Sequence, residues 1–144
     1  MRVAIVAESF LPSVNGVTNS VLRVLQHLEK LGHQTLLLAP GEPPPSVHGA
    51  RVVSLPSLPL PTYTEFRLGV PTSRSIARVL DTFRPDVVHL ASPFTTGVPA
   101  LRAAARCGVP TVAVYQTDVA GFATHYPLAA AAADLAWRRI RSIH

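Results

Sequence analysis

Short continuous apolar runs alternate along the chain with stretches in which apolar residues recur every three or four positions. Residues 3–7 (VAIVA) are uninterrupted and rich in branched side chains, the pattern of a strand covered on both faces. Beyond them Val17, Val21, Val24, Leu25, Leu28 and Leu31 fall on one helical face, and Gly32 supplies the stop. The same alternation predicts strands at 34–39, 51–55, 86–90 and 111–115. It predicts helices at 71–83, with Pro71 in the first turn and Ile76, Val79, Leu80 and Phe83 inward, and at 95–107, with Gly108 as the C-terminal cap. An Ala-rich helix is predicted at 128–143. GEPPPSVHGA (41–50) reads as irregular because its prolines remove donors, and PSLPLPTYTEFRLGVP (56–71) reads as a long loop.

Five predicted strands separated by helices imply an α/β fold: one Rossmann-like domain over residues 1–144, with a doubly wound parallel sheet in the order 3-2-1-4-5. Ligands of such sheets gather at the carboxyl ends of the strands, around the switch between strands one and four. Residues 8–19, 91–96 and 116–126 are placed there.

The first of these segments is the most informative. A strand enters a Pro/Asn/Gly loop, and Asn15-Gly16 opens directly into a helix whose N-terminal N–H groups attract anions. One glycine is too few for the dinucleotide fingerprint, and the Gly-Lys-Ser/Thr ending of a Walker loop is missing. Two readings stand: an anion-binding turn, or an ordinary turn in which Gly16 serves only the backbone angle.

Composition narrows the class. With 48% apolar residues a core is affordable, yet no apolar run approaches the ~20 residues of a membrane span. Glu8 interrupts the opening apolar run and no cleavage site follows, so a secretory signal is not expected and the chain is predicted to be cytoplasmic. A single cysteine, Cys107, excludes an internal disulfide and a cysteine-rich metal site. The net charge of +5, almost all of it arginine, favours anionic partners. The arginines are scattered and accompany no nucleic-acid motif, so nucleic acid is not an expected partner. His89 reads as a hydrogen-bonded core residue, His27, His33 and His48 as surface or loop positions, and no spacing suggests a metal site.

SFLPSVNGVTNSV, PDVVHLASP and VPTVAVYQTDVAGFATHYPL resemble, in order and over essentially the whole chain, the N-terminal domain of retaining glycosyltransferases with two facing Rossmann-like domains, the GT-B fold. The nearest likeness is to actinobacterial GDP-mannose-dependent alpha-mannosyltransferases that glycosylate lipids. The resemblance implies that the first loop lies against the donor diphosphate through the backbone of Asn15, Gly16 and Val17. It makes Glu8, Thr18, Ser92 and Thr117 candidates for the acceptor, and His125, which follows the Gly121-Phe122-Ala123-Thr124 segment near the cleft, is a further candidate by position. Where many members carry a histidine beside the transferring sugar, this chain has Gln116, followed by Asp118; Gln116 can hydrogen-bond but not act as acid or base. Asp118 could orient the acceptor hydroxyl or stabilise charge on the sugar ring, or be a loop cap bonding its own backbone.

The implied chemistry needs no protein nucleophile, no cofactor and no metal: the leaving phosphate takes the acceptor proton, and the protein positions and stabilises charge. The implied partners are a nucleotide sugar, a lipid-linked (polyprenyl or glycolipid) or glycan acceptor, and a C-terminal nucleotide-binding domain that residues 1–144 do not encode. The chain alone is therefore expected to be inactive and to bind GDP-mannose weakly. Leu58, Leu60, Tyr63, Phe66 and Arg67 suggest docking on an anionic membrane surface, at the inner face of the plasma membrane, or alternatively packing over the sheet edge. The competing readings are a UDP-sugar-dependent transferase and a non-catalytic α/β binding module. The receiver-type form of that module lacks its acidic cluster here, because Glu8 stands alone.

Overall fold

The computed structural model describes residues 1–60, 63–91, 94–114 and 138. In chain order the elements are β1 (Arg2–Ala7), α1 (Gly16–Lys30), β2 (Gln34–Pro40), β3 (Ser46–Val47), β4 (Ala50–Leu55), β5 (Ser57–Leu60), β6 (Tyr63–Gly69), α2 (Ser73–Phe83), β7 (Val87–Ala91), α3 (Gly97–Arg106) and β8 (Thr111–Val114). The main sheet runs β3-β4-β2-β1-β7-β8, with every pair parallel except β3 on β4. Its five parallel strands have the expected order, each apolar run becoming one of them.

Side chains alternate across this sheet and build two cores. Ala4, Val6, Leu36, Leu38, Val88 and Leu90 face α2 and α3, while Val3, Ile5, Ala7, Leu37 and Ala39 face α1 through Val21 and Leu25. The central strands β1 and β2 are apolar and buried on both faces because helices cover both, whereas the flanking β4 and β8 stay partly exposed. Helix ends follow their local chemistry. Asn15 and Thr72 cap α1 and α2 by accepting from Thr18 N–H (3.0 Å) and Ser75 N–H (3.1 Å). At the far ends Gly32 and Gly108 turn left-handed, and the bonds His33 N–H to Leu28 O and Val109 N–H to Ala104 O close the last turns. Leu31, expected on the buried stripe, is instead the C-terminal cap of α1 and is 57% exposed, because the chain leaves the helical face there.

Two proline-rich segments differ from expectation. Within 41–50, Ser46–Val47 pairs antiparallel with β4 across a tight turn in which His48 and Gly49 both have positive φ. Within 56–71, β5 and β6 pair as an antiparallel ribbon, Ser57 opposite Gly69 and Leu58 opposite Leu68, with an irregularity at Pro59/Leu60. A two-stranded ribbon is all edge, where a proline without an N–H is tolerated. Ser57 Oγ fastens this ribbon to the end of β2 by accepting from Gly41 N–H (3.2 Å), and ties β5 to β6 by accepting from Arg67 Nε–H (3.0 Å). The helix expected at 128–143 lies outside the described residues apart from Arg138.

Candidate functional site

α1 covers one face of the sheet and α2 and α3 the other, so the helices that follow β1 and β7 lie on opposite faces, which marks the switch point whose crevice holds the ligands of doubly wound sheets. Two helix N-termini, those of α1 and α3, look toward this end of the sheet.

The N-terminus of α3 is filled from within. Glu8, only 8% exposed, directs Oε1 at three backbone N–H donors, those of Phe94, Thr96 (2.8 Å) and Gly97 (3.1 Å). Its Oε2 accepts from the Thr95 hydroxyl at 2.8 Å. Thr96, the residue in the N-cap position, makes no side-chain capping bond of its own. A carboxylate from a strand end thus satisfies the orphan donors of a helix 88 residues away and neutralises its positive pole. Behind it Gly69 presses on the same turn: a Cβ there would lie 2.5 Å from Thr96 Cγ2. The ribbon, β1 and α3 are therefore locked at one point.

The N-terminus of α1 is different. Asn15 is held on both sides, its Nδ2 donating to Ser9 Oγ at 2.8 Å and its Oδ1 accepting from Thr18 N–H. Thr18 is fully buried, and its hydroxyl donates to Ser13 O at 2.8 Å. Gly16 and Val17 N–H, the first two of the helix, have no partner among the described residues. Gly16 has ordinary backbone angles, is exposed, and a Cβ on it would meet nothing within 4 Å. The backbone-angle reading of Gly16 fails on this geometry, since neither the turn nor the internal packing requires a glycine.

Of the expected site residues, the structure brings Glu8, Asn15, Gly16, Val17 and Thr18 to the crevice. Glu8 and Thr18, expected at the acceptor, have their polar atoms committed to the loops themselves, because both are buried and must be satisfied internally. Ser92, Gln116, Thr117, Asp118 and His125 lie outside the described residues. His89 is half-buried on β7 beside Ile5, and burial lowers its basicity below the usual histidine range. The hydrogen bond expected for it is not formed at Nε2, which is buried without a partner among the described residues. Among those residues no three or more His, Cys, Asp or Glu gather as a metal cluster. The closure of α3 by Glu8 escaped sequence reasoning, though an acid ending an apolar strand and a Thr-Thr-Gly turn with no acid in the following helix were both visible.

The profile of Glycosyltransferase Family 4 matches residues 14–144. The chain belongs to glycosyltransferase family 4. A GDP-mannose-dependent alpha-mannosyltransferase of Mycolicibacterium smegmatis is 55% identical to it over 150 residues, covering 100% of this chain and 40% of that protein. The enzyme of the same description from Corynebacterium glutamicum is 48% identical over 149 residues, covering 100% of this chain and 36% of the other. This family 4 chain therefore spans well under half the length of these curated relatives. Among solved structures, Acinetobacter baumannii MurG aligns with a TM-score of 0.54 at 17% identity, over 78% of this chain and 34% of its own, a likeness of fold alone. No described helix is long and apolar enough to cross a membrane.

Proposed function

We propose that the chain is the N-terminal, acceptor-side domain of a transferase that moves mannose from GDP-mannose to a glycolipid or glycan acceptor. In this reading the N-terminus of α1 holds the donor's diphosphate. Membership of family 4 and the description of the relatives support the reaction class and donor. The observation that carries the site is the contrast between the two helix N-termini: Glu8 fills one, while the other offers the Gly16 and Val17 N–H groups beside a glycine with open space above it. A diphosphate gains hydrogen bonds and a favourable dipole at the open end and meets a buried carboxylate at the other. As the sugar–phosphate bond breaks, negative charge grows on the leaving diphosphate, and fixed N–H donors stabilise it without reorganising. Nothing in this role requires a metal or a side-chain acid.

The rest of the donor would be held by groups outside residues 1–144, so residues 1–144 alone are expected to bind GDP-mannose weakly. Gln116 and Asp118 are proposed beside the transferring sugar, and Ser92, Thr117 and His125 on the acceptor. The ribbon β5–β6 presents Leu58, 59% exposed, with Val70, 44% exposed, just beyond it, a shallow apolar edge that a lipid-linked acceptor's membrane could meet.

The test is transfer by the whole protein, with GDP release measured for the parent and for Gly16→Val and Gly16→Ala. Gly16→Val should fold normally yet lose at least tenfold in kcat/KM for the donor, about 1.4 kcal/mol of transition-state binding. Normal turnover by a folded Gly16→Val enzyme removes the diphosphate from α1. Turnover with UDP-sugars and not with GDP-mannose leaves the loop and changes the donor.

A further inference from the structure

At the opposite end of the sheet, where the parallel strands begin, the covering is incomplete. α2 lies over Leu36 and Leu38, but β4 beyond them keeps Val53 half-buried and Arg51 exposed. Between α2 and β4 lies a cavity of about 470 Å³ whose floor includes Leu36, Val53 and Phe83. Its size falls within the ~300–1,000 Å³ of small-molecule sites. Arg2, Arg51 and Arg78, from β1, β4 and α2, also line it.

These three cations are unusually placed. The Arg2 guanidinium stacks on the Phe83 ring, 4.9 Å from its centroid, and its Nε is buried without a partner among the described residues. Asp86, the near acid, is turned to the Arg2 backbone N–H at 2.7 Å. Among the described residues the one ion pair is His48 with Glu29, so no carboxylate answers Arg2, Arg51 or Arg78. Three guanidinium groups around one apolar floor repel one another, and a buried donor left unmatched is costly. An anion with several oxygens meets both demands, since guanidinium forks match phosphate geometry.

We propose that this groove binds an organic phosphate monoester, with its phosphate among Arg2, Arg51 and Arg78 and its apolar body along Leu36, Val53 and Phe83. The site stands apart from the crevice. Arg2 begins β1 and Ala7 ends it, a separation of about 16 Å at ~3.3 Å per residue. The ligand does not compete with a donor at α1. It is suited to a regulatory or tethering role.

Calorimetry on the whole protein with hexyl phosphate, inorganic phosphate and hexanol tests this. Hexyl phosphate should bind at least tenfold more tightly than inorganic phosphate, hexanol should give no measurable heat, and GDP-mannose should leave hexyl phosphate binding unchanged. Arg51→Gln and Arg78→Gln, both at exposed positions and so expected to fold, should each weaken hexyl phosphate at least fivefold with no change in melting temperature. Binding indifferent to these substitutions, equal binding of hexyl and inorganic phosphate, or displacement by GDP-mannose overturns the proposal. So does an absence of binding with a lowered melting temperature in the double variant, which would mean that another segment of the protein packs in the groove.

Discussion

Removing the Glu8 carboxylate separates an internal anchor from a substrate contact. In Glu8→Ala, the N–H groups of Phe94, Thr96 and Gly97 and the Thr95 hydroxyl lose one shared acceptor. Each buried donor left unsatisfied costs about 1–3 kcal/mol, and hydrogen bonds to a charged group contribute about 1.5–3 kcal/mol. Water can reach the part-buried members, so the four do not add; the expected loss is about 3–5 kcal/mol against a total stability of roughly 5–15. Glu8→Gln keeps one carbonyl oxygen for Thr96 and Gly97, and its amide can donate to Thr95 Oγ. It loses the charge at the pole of α3, and about 1–2 kcal/mol is expected. Urea unfolding followed by circular dichroism gives both values, and amide exchange at Thr96 and Gly97 should accelerate in step with them. If Glu8→Ala unfolds within 1 kcal/mol of the parent, the anchor is wrong. A raised KM for the acceptor at unchanged stability would return Glu8 to substrate recognition.

Asn15→Ala removes both the cap of α1 and the tie to Ser9, and should cost about 1–2 kcal/mol in urea unfolding. Gly69→Ala should destabilise by about 1–3 kcal/mol through its clash with Thr96 Cγ2, and Thr96→Ser, which deletes that methyl, should recover most of the loss in a double-mutant cycle. His89 has a folded-state pKa lowered by burial from 6.5, so below that pH the unfolded chain binds more protons. Stability should be complete above about pH 6.5 and fall as pH drops through that value. His89→Leu should flatten that slope in melting curves taken from pH 7.5 to 5 (the parent values serving as reference).

Periodicity made the parallel sheet legible because its central strands β1 and β2 are buried on both faces, and all five parallel strands read as short apolar runs of the right length. Gly32 and Gly108 were readable for an equally local reason, the left-handed turn that ends a helix. The ribbon β5–β6 was not legible. Prolines broke its alternation, and what fixes it is tertiary: Ser57 bonded to Gly41 and Arg67, and Gly69 against Thr96. The same distinction divides the site. The open end of α1 follows from adjacent residues, Asn15 and Gly16, whereas the role of Glu8 depends on a partner turn nearly ninety residues away that no local pattern announces.

That long-range contact also gives the crevice its direction. A doubly wound sheet brings helix N-termini from both halves to the same edge, and by dipole alone they attract anions equally. Here the ends of α1 and α3 are made unequal by one side chain, because Glu8 leaves β1 at the switch and reaches across to the β7 side. In the proposed reading an arriving phosphate would meet, over Gly16, donors that have no partner among the described residues, and over Gly97 a compensated pole. Glu8, one of the acceptor candidates that the family resemblance implied, would in that reading shape specificity by occupying the alternative site. A Glu8→Ala protein that remained folded would expose a second anion-binding pole, and inorganic phosphate should then bind it measurably more tightly than it binds the parent.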